Sequence, residues 1–424
     1  MFFRKISARS CTALFTLLVF ASGSFAQTPK PRQETLLNGL KLLMWRESTA
    51  NKVTLKVRIH SGSSFDPQGR EGVMKILAEN IFPTPESRDF FKDDLGGSLE
   101  IVSNYDYIQI NASSAPDQFL TLLETVGRAI STPVIDKETT AKLRARQLER
   151  VTQLEKDPAY VADVAAAKRL LGTFPYGRPS EGTLESVSRI DFADLIDAKQ
   201  RFLTADNAIV ALSGNFDPDL AYRAVRRTFG SWLKADKKVP STFRQPDAPP
   251  TAAQVIDSPV PGSFEVRYIA RGYSFNDKDF AASGVLARII ENRIKEKVPA
   301  EYRSGIRVRS EGRILPGFIS VGLSGVASTT VESKIEANDL VSAAIQTKIT
   351  DTEFNSAKAA YTQEWYAKNP VDRQLDIDTY KMVSIDDQRQ TVSGLTAADV
   401  QRVADALSKQ PVAVVVLNTS KTSN

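Results

Sequence analysis

Histidine and cysteine, which supply most zinc ligands and many catalytic groups, are nearly absent from this sequence of 424 residues. The chain has one histidine, His60, and one cysteine, Cys11. No site that needs two imidazoles can form within one copy of the chain, and any Ser-His-Asp mechanism would have to use His60. One cysteine likewise excludes internal disulfides and zinc sites built from several thiolates. We find no Gly-x-Ser-x-Gly motif, and we interpret His60 as a hydrogen-bonded or partly exposed residue at a strand end.

A short segment between Gly72 and Phe82 places polar side chains together on one face of a predicted helix. At 100° per residue, Lys75, Ala78 and Glu79 fall on the same side. The opposite side is apolar and is predicted to face the core: Val73, Ile76, Leu77 and Ile81. One interpretation of Lys75 and Glu79 is an ordinary exposed ion pair four residues apart, which contributes about 0.2–0.5 kcal/mol.

The first 26 residues have the features of a secretory signal peptide. Basic residues up to Arg9 precede an apolar stretch from Cys11 to Ala21, and small residues precede a predicted cleavage after Ala26. The alternative is an uncleaved anchor, but the apolar stretch is well short of the roughly 20 residues that cross a bilayer. We therefore predict export, most simply to a bacterial periplasm, and no membrane span in the mature chain.

The rest of the composition is that of an ordinary globular protein, with 42% hydrophobic and 25% charged residues. At roughly 100–200 residues per domain, the length predicts two domains. Removal of the basic leader lowers the formal charge from +5 to +2. Basic residues such as Lys142, Arg144 and Arg146 are therefore interpreted as a solvated helix face, and no nucleic-acid partner is predicted.

The mature chain contains an internal repeat. Three pairs lie 212 residues apart: Gly72-Val73 with Gly284-Val285, Glu79-Asn80 with Glu291-Asn292, and Asp157-Pro158 with Asn369-Pro370. Between the halves, the stretch from Lys234 to Pro250 is charged and proline-rich, as linkers are. We predict two homologous domains, residues 27–234 and 252–424, joined by a linker at 235–251.

Each half has the same predicted order of elements. Alternating apolar residues in the two opening strands mark the buried faces: Val53, Leu55, Val57 and Ile59, and Phe264, Val266, Tyr268 and Ala270. A helix, a hairpin and further helices follow in each half. Asp157-Pro158 has the form of a helix start, with Asp as N-cap and Pro in the first turn. The fold class is therefore α+β, with one antiparallel sheet per domain and helices packed on one face.

The stretch from Glu34 to Phe82 resembles the opening of the insulinase/pitrilysin metallopeptidases, the inverzincins. In that family an Asn-Gly strand start and a small-residue turn precede Gly-x-x-His-x-x-Glu-His on a helix. The counterparts here are Asn38-Gly39, Ser61-Gly62-Ser63 and the helix after Gly72. Further landmarks follow in family order: Leu95-Gly96-Gly97-Ser98-Leu99, Phe174-Pro175-Tyr176-Gly177-Arg178-Pro179, Gly182-Thr183, and Asn207 through Gly214. The resemblance covers nearly all of the mature chain.

The motif itself is degenerate. In the family the two His residues bind zinc and the Glu between them is the general base. Alignment on Gly72 and Phe82 places Lys75 at the first His, Ala78 at the Glu and Glu79 at the second His. A lysine at neutral pH only donates hydrogen bonds and repels a cation, and an alanine cannot accept a proton. The resemblance therefore implies no catalytic residue, no bound metal and no cofactor in this half.

The third zinc ligand of the family, a Glu on a later helix, corresponds to Arg150, with Glu149 beside it if the alignment slips by one residue. A second interpretation of the polar helix face follows. Lys75 and Arg150 would place cationic groups in the former metal cleft, with Glu79 as their partner.

The second half of the family site is also altered. Active members place an Arg and, seven residues later, a Tyr in the second domain, where the two hold the substrate. Ungapped alignment puts Pro299 at the Arg and Ile306 at the Tyr. A two-residue slip would instead offer Arg293 or Lys295 together with Tyr302.

The resemblance implies a non-catalytic subunit of an exported insulinase-like zinc peptidase complex. In the family four such domains enclose a substrate chamber, so this chain would be half of a heterodimer whose paralogous partner carries an intact zinc site. It would supply chamber wall and an edge strand for peptide, with Gly97, Ser98 and Leu99 as the predicted edge. The alternatives are a stand-alone peptide- or protein-binding module and, third, a peptidase of unrecognised chemistry.

Overall fold

The computed structural model describes residues 30–235, 243, 246–326 and 332–418. The predicted signal peptide lies outside these ranges, as do residues 236–242 and 244–245 of the predicted linker. Within the described ranges, no helix combines the length and the apolar character that a membrane span requires.

The first sheet has six strands. They are β1 (Arg32–Thr35), β2 (Lys41–Arg46), β3 (Val53–Ile59), β4 (Ser98–Ser103), β5 (Ile108–Ser114) and β6 (Ala208–Gly214). Their order across the sheet is β1-β2-β6-β3-β5-β4. Neighbours are antiparallel except β2 and β6, which are parallel. The four apolar residues of β3 lie in the core, as their alternation predicts.

The second sheet has five strands. They are β7 (Gln254–Asp257), β8 (Ser263–Arg271), β9 (Ile306–Glu311), β10 (Phe318–Val326) and β11 (Ala413–Asn418). The order is β7-β11-β8-β10-β9, and only β7 and β11 are parallel. The two sheets therefore repeat the same plan, a parallel pair followed by antiparallel neighbours.

The helices of the first half are α1 (Val73–Glu79), α2 (Pro85–Asp93), α3 (Phe119–Ser131), α4 (Lys137–Leu154), α5 (Pro158–Leu171), α6 (Leu184–Ser188), α7 (Phe192–Phe202) and α8 (Pro218–Phe229). Those of the second half are α9 (Phe280–Lys297), α10 (Glu332–Gln346), α11 (Asp351–Ala367), α12 (Pro370–Tyr380), α13 (Ile385–Gly394) and α14 (Ala397–Leu407). Asp157 caps α5 by accepting a hydrogen bond from the Ala159 N–H, as the sequence predicts.

Two helices cross between the halves. Helix α5 packs on β8 and β11 of the second sheet, where Ala162 and Ala166 contact Ile269 and Val415. Helix α12 packs on the first sheet, where Leu375 joins residues of β2 and β6. The remaining helices of each half enclose a separate apolar core on the other face of its sheet. Each sheet is therefore covered by helices of its own half on one face and by a helix of the other half on the other.

The predicted α+β class is confirmed, and the structure adds one parallel pair to each sheet. Because α5 and α12 are exchanged, the chain from Pro31 onward forms one compact unit. The proposed domain boundaries at 27–234, 235–251 and 252–424 stay a prediction.

Ion pairs also join α12 to the first sheet. The Lys56 ammonium lies 2.6 Å from a carboxylate oxygen of Asp372, and the Arg58 guanidinium lies 2.7 Å from Asp376. Only 1% of the Arg58 side chain and 4% of the Asp376 side chain is exposed. Since an unpaired buried charge is costly, these pairs fix where α12 sits on the sheet.

Candidate functional site

Helix α1, which carries the residues that the resemblance aligns with the family's zinc motif, is held at its N-terminus by Asp66. The Asp66 carboxylate accepts hydrogen bonds from the backbone N–H groups of Gly72 and Met74 at 2.8 and 2.7 Å. Gly72 has φ +104°, a conformation that favours glycine, and it starts the helix. Burial raises the pKa of Asp66 to about 7, against the lowering effect of those two hydrogen bonds.

Lys75, Glu181 and Arg150 form a charged cluster beside α1, which we call the Lys-Glu-Arg triad. The Lys75 ammonium lies 3.4 Å from one carboxylate oxygen of Glu181, and the Arg150 Nε lies 2.9 Å from the other. Gln147 donates to the same carboxylate at 3.1 Å and to the backbone carbonyl of Glu181 at 2.8 Å. The Lys75 residue is 9% exposed, so this cluster is not the exposed ion pair that the four-residue spacing suggests.

The structure brings Lys75 and Arg150 together but not with the partner that the sequence suggests. Glu79 instead forms an ion pair with Arg88 of α2. Ala78 is 1% exposed and packs in the apolar core, so it does not line a cleft as the helical periodicity predicts. Both expectations are wrong for the same reason. The short α1 is packed nearly all round, and periodicity alone does not show which neighbours surround it.

Glu181 was not identified from the sequence. It lies in the loop before Gly182, far along the chain from Lys75, and no spacing rule connects the two. The sequence offered only an indirect signal for this residue. Lys75 and Arg150 both align with zinc-ligand positions, and two cations that lie close together require a carboxylate nearby.

The residues at the four aligned positions do not fit zinc. Zinc takes deprotonated Cys, His or carboxylate ligands, whereas Lys75 and Arg150 are donors only. The Glu181 carboxylate, a chemically suitable ligand, already forms ion pairs with both cations. Within the part of the chain that the structure describes, no three His, Cys, Asp or Glu side chains lie close enough together to hold a metal ion.

The aligned Arg and Tyr positions of the second half carry no functional side chain. Pro299 precedes a short 3-10 helix, and Ile306 is buried at the start of β9. In the alternative alignment, shifted by two residues, Arg293 would take the place of the family Arg. Its guanidinium instead forms hydrogen bonds with both carboxylate oxygens of Glu353 at 2.6 and 2.9 Å. Arg293 also donates to the carbonyl of Ala344 in the last turn of α10 at 2.7 Å and to those of Thr347 and Lys348 just beyond it.

Two other alternative residues have separate surroundings. Lys295 forms an ion pair with Glu291 on the same helix. Tyr302 is 44% exposed. The structure therefore shows no Arg–Tyr pair poised together at these positions.

The predicted peptide edge, Gly97, Ser98 and Leu99, lies at the start of β4, the outermost strand of the first sheet. A Cβ on Gly97 would lie 1.8 Å from the Ser113 carbonyl oxygen, so this close approach of the two strands requires glycine. Ser98 forms a hydrogen bond with Ser113 at 2.9 Å. The outer edge of β4 has no neighbouring strand among the described residues.

His60 lies at the contact between the halves. Its Nε2 is 2.8 Å from an Asp378 carboxylate oxygen, and its Nδ1 is 3.2 Å from the Thr379 hydroxyl. Burial lowers the pKa of His60, although Asp378 opposes this effect. Burial alone would raise the pKa of Asp378, but His60 and Lys41 outweigh it and hold that pKa well below its usual range. The single histidine is thus a structural residue that joins α12 to the first sheet.

Comparison with known proteins supports this assignment of the fold. Residues 189–361 match the domain described as the "Peptidase M16 inactive domain". That range begins after the Lys-Glu-Arg triad, so the match does not bear on the degenerate motif. An uncharacterized zinc protease of Streptomyces coelicolor is 21% identical over an alignment of 418 positions that covers 91% of this chain and 89% of that protein.

Solved structures share the fold. The peptidase M16 inactive domain structure from Pseudomonas fluorescens matches with a TM-score of 0.80 and 17% identity, covering 93% of this chain and 99% of that one. The periplasmic protease PqqL from Escherichia coli matches with a TM-score of 0.70 and 14% identity, covering 92% of this chain. The match spans 48% of PqqL, about half its length.

The motif order, the tandem sheets and these comparisons lead to one conclusion. The chain resembles the insulinase-like peptidases of the M16 family in motif order and fold, and its residues 189–361 match the domain described as inactive.

Proposed function

We propose that this protein is a non-catalytic subunit of an exported insulinase-like zinc peptidase complex. The observation that carries the proposal is the Lys-Glu-Arg triad. At two positions that the family alignment assigns to zinc ligands, the chain has Lys75 and Arg150, and both cations form ion pairs with the Glu181 carboxylate.

Charge and geometry both oppose metal binding at the triad. Two cations and one carboxylate leave a net positive charge where the family binds a divalent cation. The Lys75 ammonium and the metal would compete for the Glu181 carboxylate. A buried lysine without its partner lowers the stability of the fold. The position that the alignment assigns to the family's general base is Ala78, which has no proton acceptor and lies in the core.

The size of the chain supports a role as one half of a chamber. In the family four domains enclose the substrate, and this chain has two sheets of that kind. It aligns with about half of PqqL, 48% of that chain. The missing half in this proposal is a paralogous subunit that carries an intact His-x-x-Glu-His helix, so that the complex is a heterodimer.

The edge strand β4 supports a passive role in holding peptide. Its outer edge has no neighbouring strand among the described residues, and Ser98 and Glu100 are exposed along it. A peptide added to this edge would gain main-chain hydrogen bonds without any catalytic group. The proposed edge is formed by Gly97, Ser98 and Leu99.

Export is proposed on two grounds. The first 26 residues have the charge and hydropathy pattern of a signal peptide. In addition, PqqL, whose fold this chain shares, is described as periplasmic.

Affinity capture of the full-length tagged protein from the organism that encodes it tests the proposal. We expect a partner at one-to-one stoichiometry whose sequence contains His-x-x-Glu-His, identified by mass spectrometry. The complex should cleave a quenched fluorescent peptide, and a chelator should stop cleavage. The separated chain should be inactive in the same assay.

The control is the same capture with the untagged protein, which should recover no stoichiometric partner. Recovery of the wild-type chain alone would contradict the subunit proposal and favour a stand-alone binding module. Chelator-sensitive cleavage by the separated chain would contradict it as well.

A further inference from the structure

The second sheet has an open edge where the first sheet has an extra strand. In the first sheet β1 pairs antiparallel with the outer edge of β2, which is itself parallel to β6. In the second sheet β7 is parallel to β11 in the same way. No described strand pairs with the other edge of β7. The internal repeat thus leaves one strand position open among the described residues.

The described part of the segment that corresponds to β1 lies elsewhere. At the offset of 212 residues, β1 corresponds to residues 244–247. The carbonyls of Pro246 and Asp247 accept hydrogen bonds from Arg271 at the end of β8. The carbonyl of Ala252 accepts one from Arg169 of α5. These contacts hold the chain that leads into β7 against α5 and β8.

A groove of about 870 Å³ lies between β7 and α5. Its apolar lining includes Val161, Val164 and Ala165 of α5 and Ile256 of β7. Helix α5 has 14 residues and is therefore about 21 Å long. This length matches about six residues of extended strand.

The groove has opposite charges at its two ends. Glu155 lies before the start of α5 and Lys168 near its end, and both are exposed residues of the lining. Because Arg169 binds the carbonyl of Ala252, β7 begins at the basic end and runs toward the acidic end. A strand antiparallel to β7 would therefore begin near Glu155 and end near Lys168. The amino end of the added strand would lie near the Glu155 carboxylate and its carboxyl end near the Lys168 ammonium. The added strand would run antiparallel to β7, just as β1 runs antiparallel to β2.

We propose that this groove binds an extended peptide segment of about six residues, which adds to β7 as an antiparallel strand. The segment has small or β-branched apolar side chains at alternate positions, a basic group near its amino end and an acidic group near its carboxyl end. The opposite charges at the two ends of the groove favour a separate peptide segment over a second copy of the chain, because the β7 edges of two copies would meet groove to groove. This proposal is independent of the zinc-site argument and of any peptidase partner.

The test is fluorescence anisotropy of the mature chain with fluorescein-labelled Lys-Val-Thr-Val-Thr-Glu. We expect saturable binding with a Kd on the order of 100 µM or tighter, as for small strand-addition interfaces. Lys168→Glu reverses a charge at the rim and should weaken binding about fivefold to tenfold. The matched control Lys409→Glu changes an exposed lysine after α14 and should leave binding unchanged.

Peptide chemistry provides a second control that leaves the protein untouched. The same peptide is N-methylated at every second residue, in each of the two registers. One register should lose binding, because it removes the N–H groups that pair with β7. The proposal is overturned if the parent peptide shows no saturable binding below about 1 mM, or if both methylated peptides and both variants bind equally. A concentration-dependent dimer that Lys168→Glu dissociates, seen by sedimentation velocity, would assign the groove to a second copy and also overturn it.

Discussion

Arg58 offers a quantitative test of how the two halves are joined. Its guanidinium pairs with Asp376 at 2.7 Å and donates to Gln109 at 2.6 Å and to Thr379 at 3.2 Å. It also lies 4.1 Å from the centroid of the Tyr107 ring. We expect Arg58→Met, which keeps most of the side-chain volume, to lower the stability of the whole chain because Asp376 of α12 loses its buried partner on the first sheet.

The expected cost follows from the partners left behind. Removing one member of a buried ion pair costs about 3–5 kcal/mol. Asp376 keeps its second partner, Lys368, which offsets part of the loss. We therefore expect Arg58→Met to lower the free energy of unfolding by about 2–4 kcal/mol, measured by urea denaturation with tryptophan fluorescence.

The matched control is Arg201→Met, which breaks an exposed pair with Asp197 at 3.3 Å. An exposed pair of this kind contributes about 0.3–0.5 kcal/mol. In addition, the double variant Arg58→Met/Asp376→Leu should be more stable than Arg58→Met alone, because it removes the stranded carboxylate. Equal unfolding free energies for Arg58→Met and Arg201→Met would refute the reasoning.

Three further predictions concern the first half. Glu181→Leu should lower the free energy of unfolding by about 1–3 kcal/mol because Lys75 loses its carboxylate partner. The double variant Lys75→Met/Glu181→Leu should recover part of this loss. If Glu181→Leu unfolds at the same urea concentration as wild type, the triad is contradicted. Burial raises the pKa of Asp66 from 3.8, its value in the unfolded chain, to about 7 in the folded protein. The stability that the protonated carboxyl group contributes is therefore complete below the unfolded pKa and is lost as the pH rises through about 7. Between pH 4.5 and 6.5 the urea stability of wild type should therefore fall relative to Asp66→Asn by on the order of 1 kcal/mol per pH unit, and a flat difference would be evidence against it. Gly97→Ala should cost about 2 kcal/mol or more, since its Cβ would meet the Ser113 carbonyl oxygen at 1.8 Å; a thermal midpoint equal to wild type would show that the strands can separate.

Local patterns predicted the elements of the fold well. The alternation in β3 identified its buried face because a strand repeats every two residues. Asp157-Pro158 marked the start of α5 because a capping side chain and a missing N–H are both local signals. The predicted α+β class followed from the order of such elements.

The exchange of α5 and α12 between the sheets could not be predicted in this way. The apolar residues of α5, such as Ala162, show which side of the helix is buried but not which sheet buries it. The parallel pairs escape prediction for a similar reason, since β2 and β6 lie far apart in sequence and no local signal pairs them.

For the site, the sequence could predict only whether the individual side chains are able to bind zinc. The sequence shows that Lys75, Ala78 and Arg150 are unsuitable for zinc, because that judgement needs only side-chain type. It did not show that Glu181 joins the two cations or that Glu79 turns to Arg88, because both are contacts between distant segments.

The most direct test of the central claim is the zinc content of the mature chain. The purified protein is equilibrated with excess zinc, passed through a desalting column and analysed by mass spectrometry for bound metal. Since the Lys-Glu-Arg triad places two cations on the carboxylate beside α1, we predict well below one zinc ion per chain. One tightly bound zinc ion per chain, lost in the Glu181→Leu variant, would contradict the account.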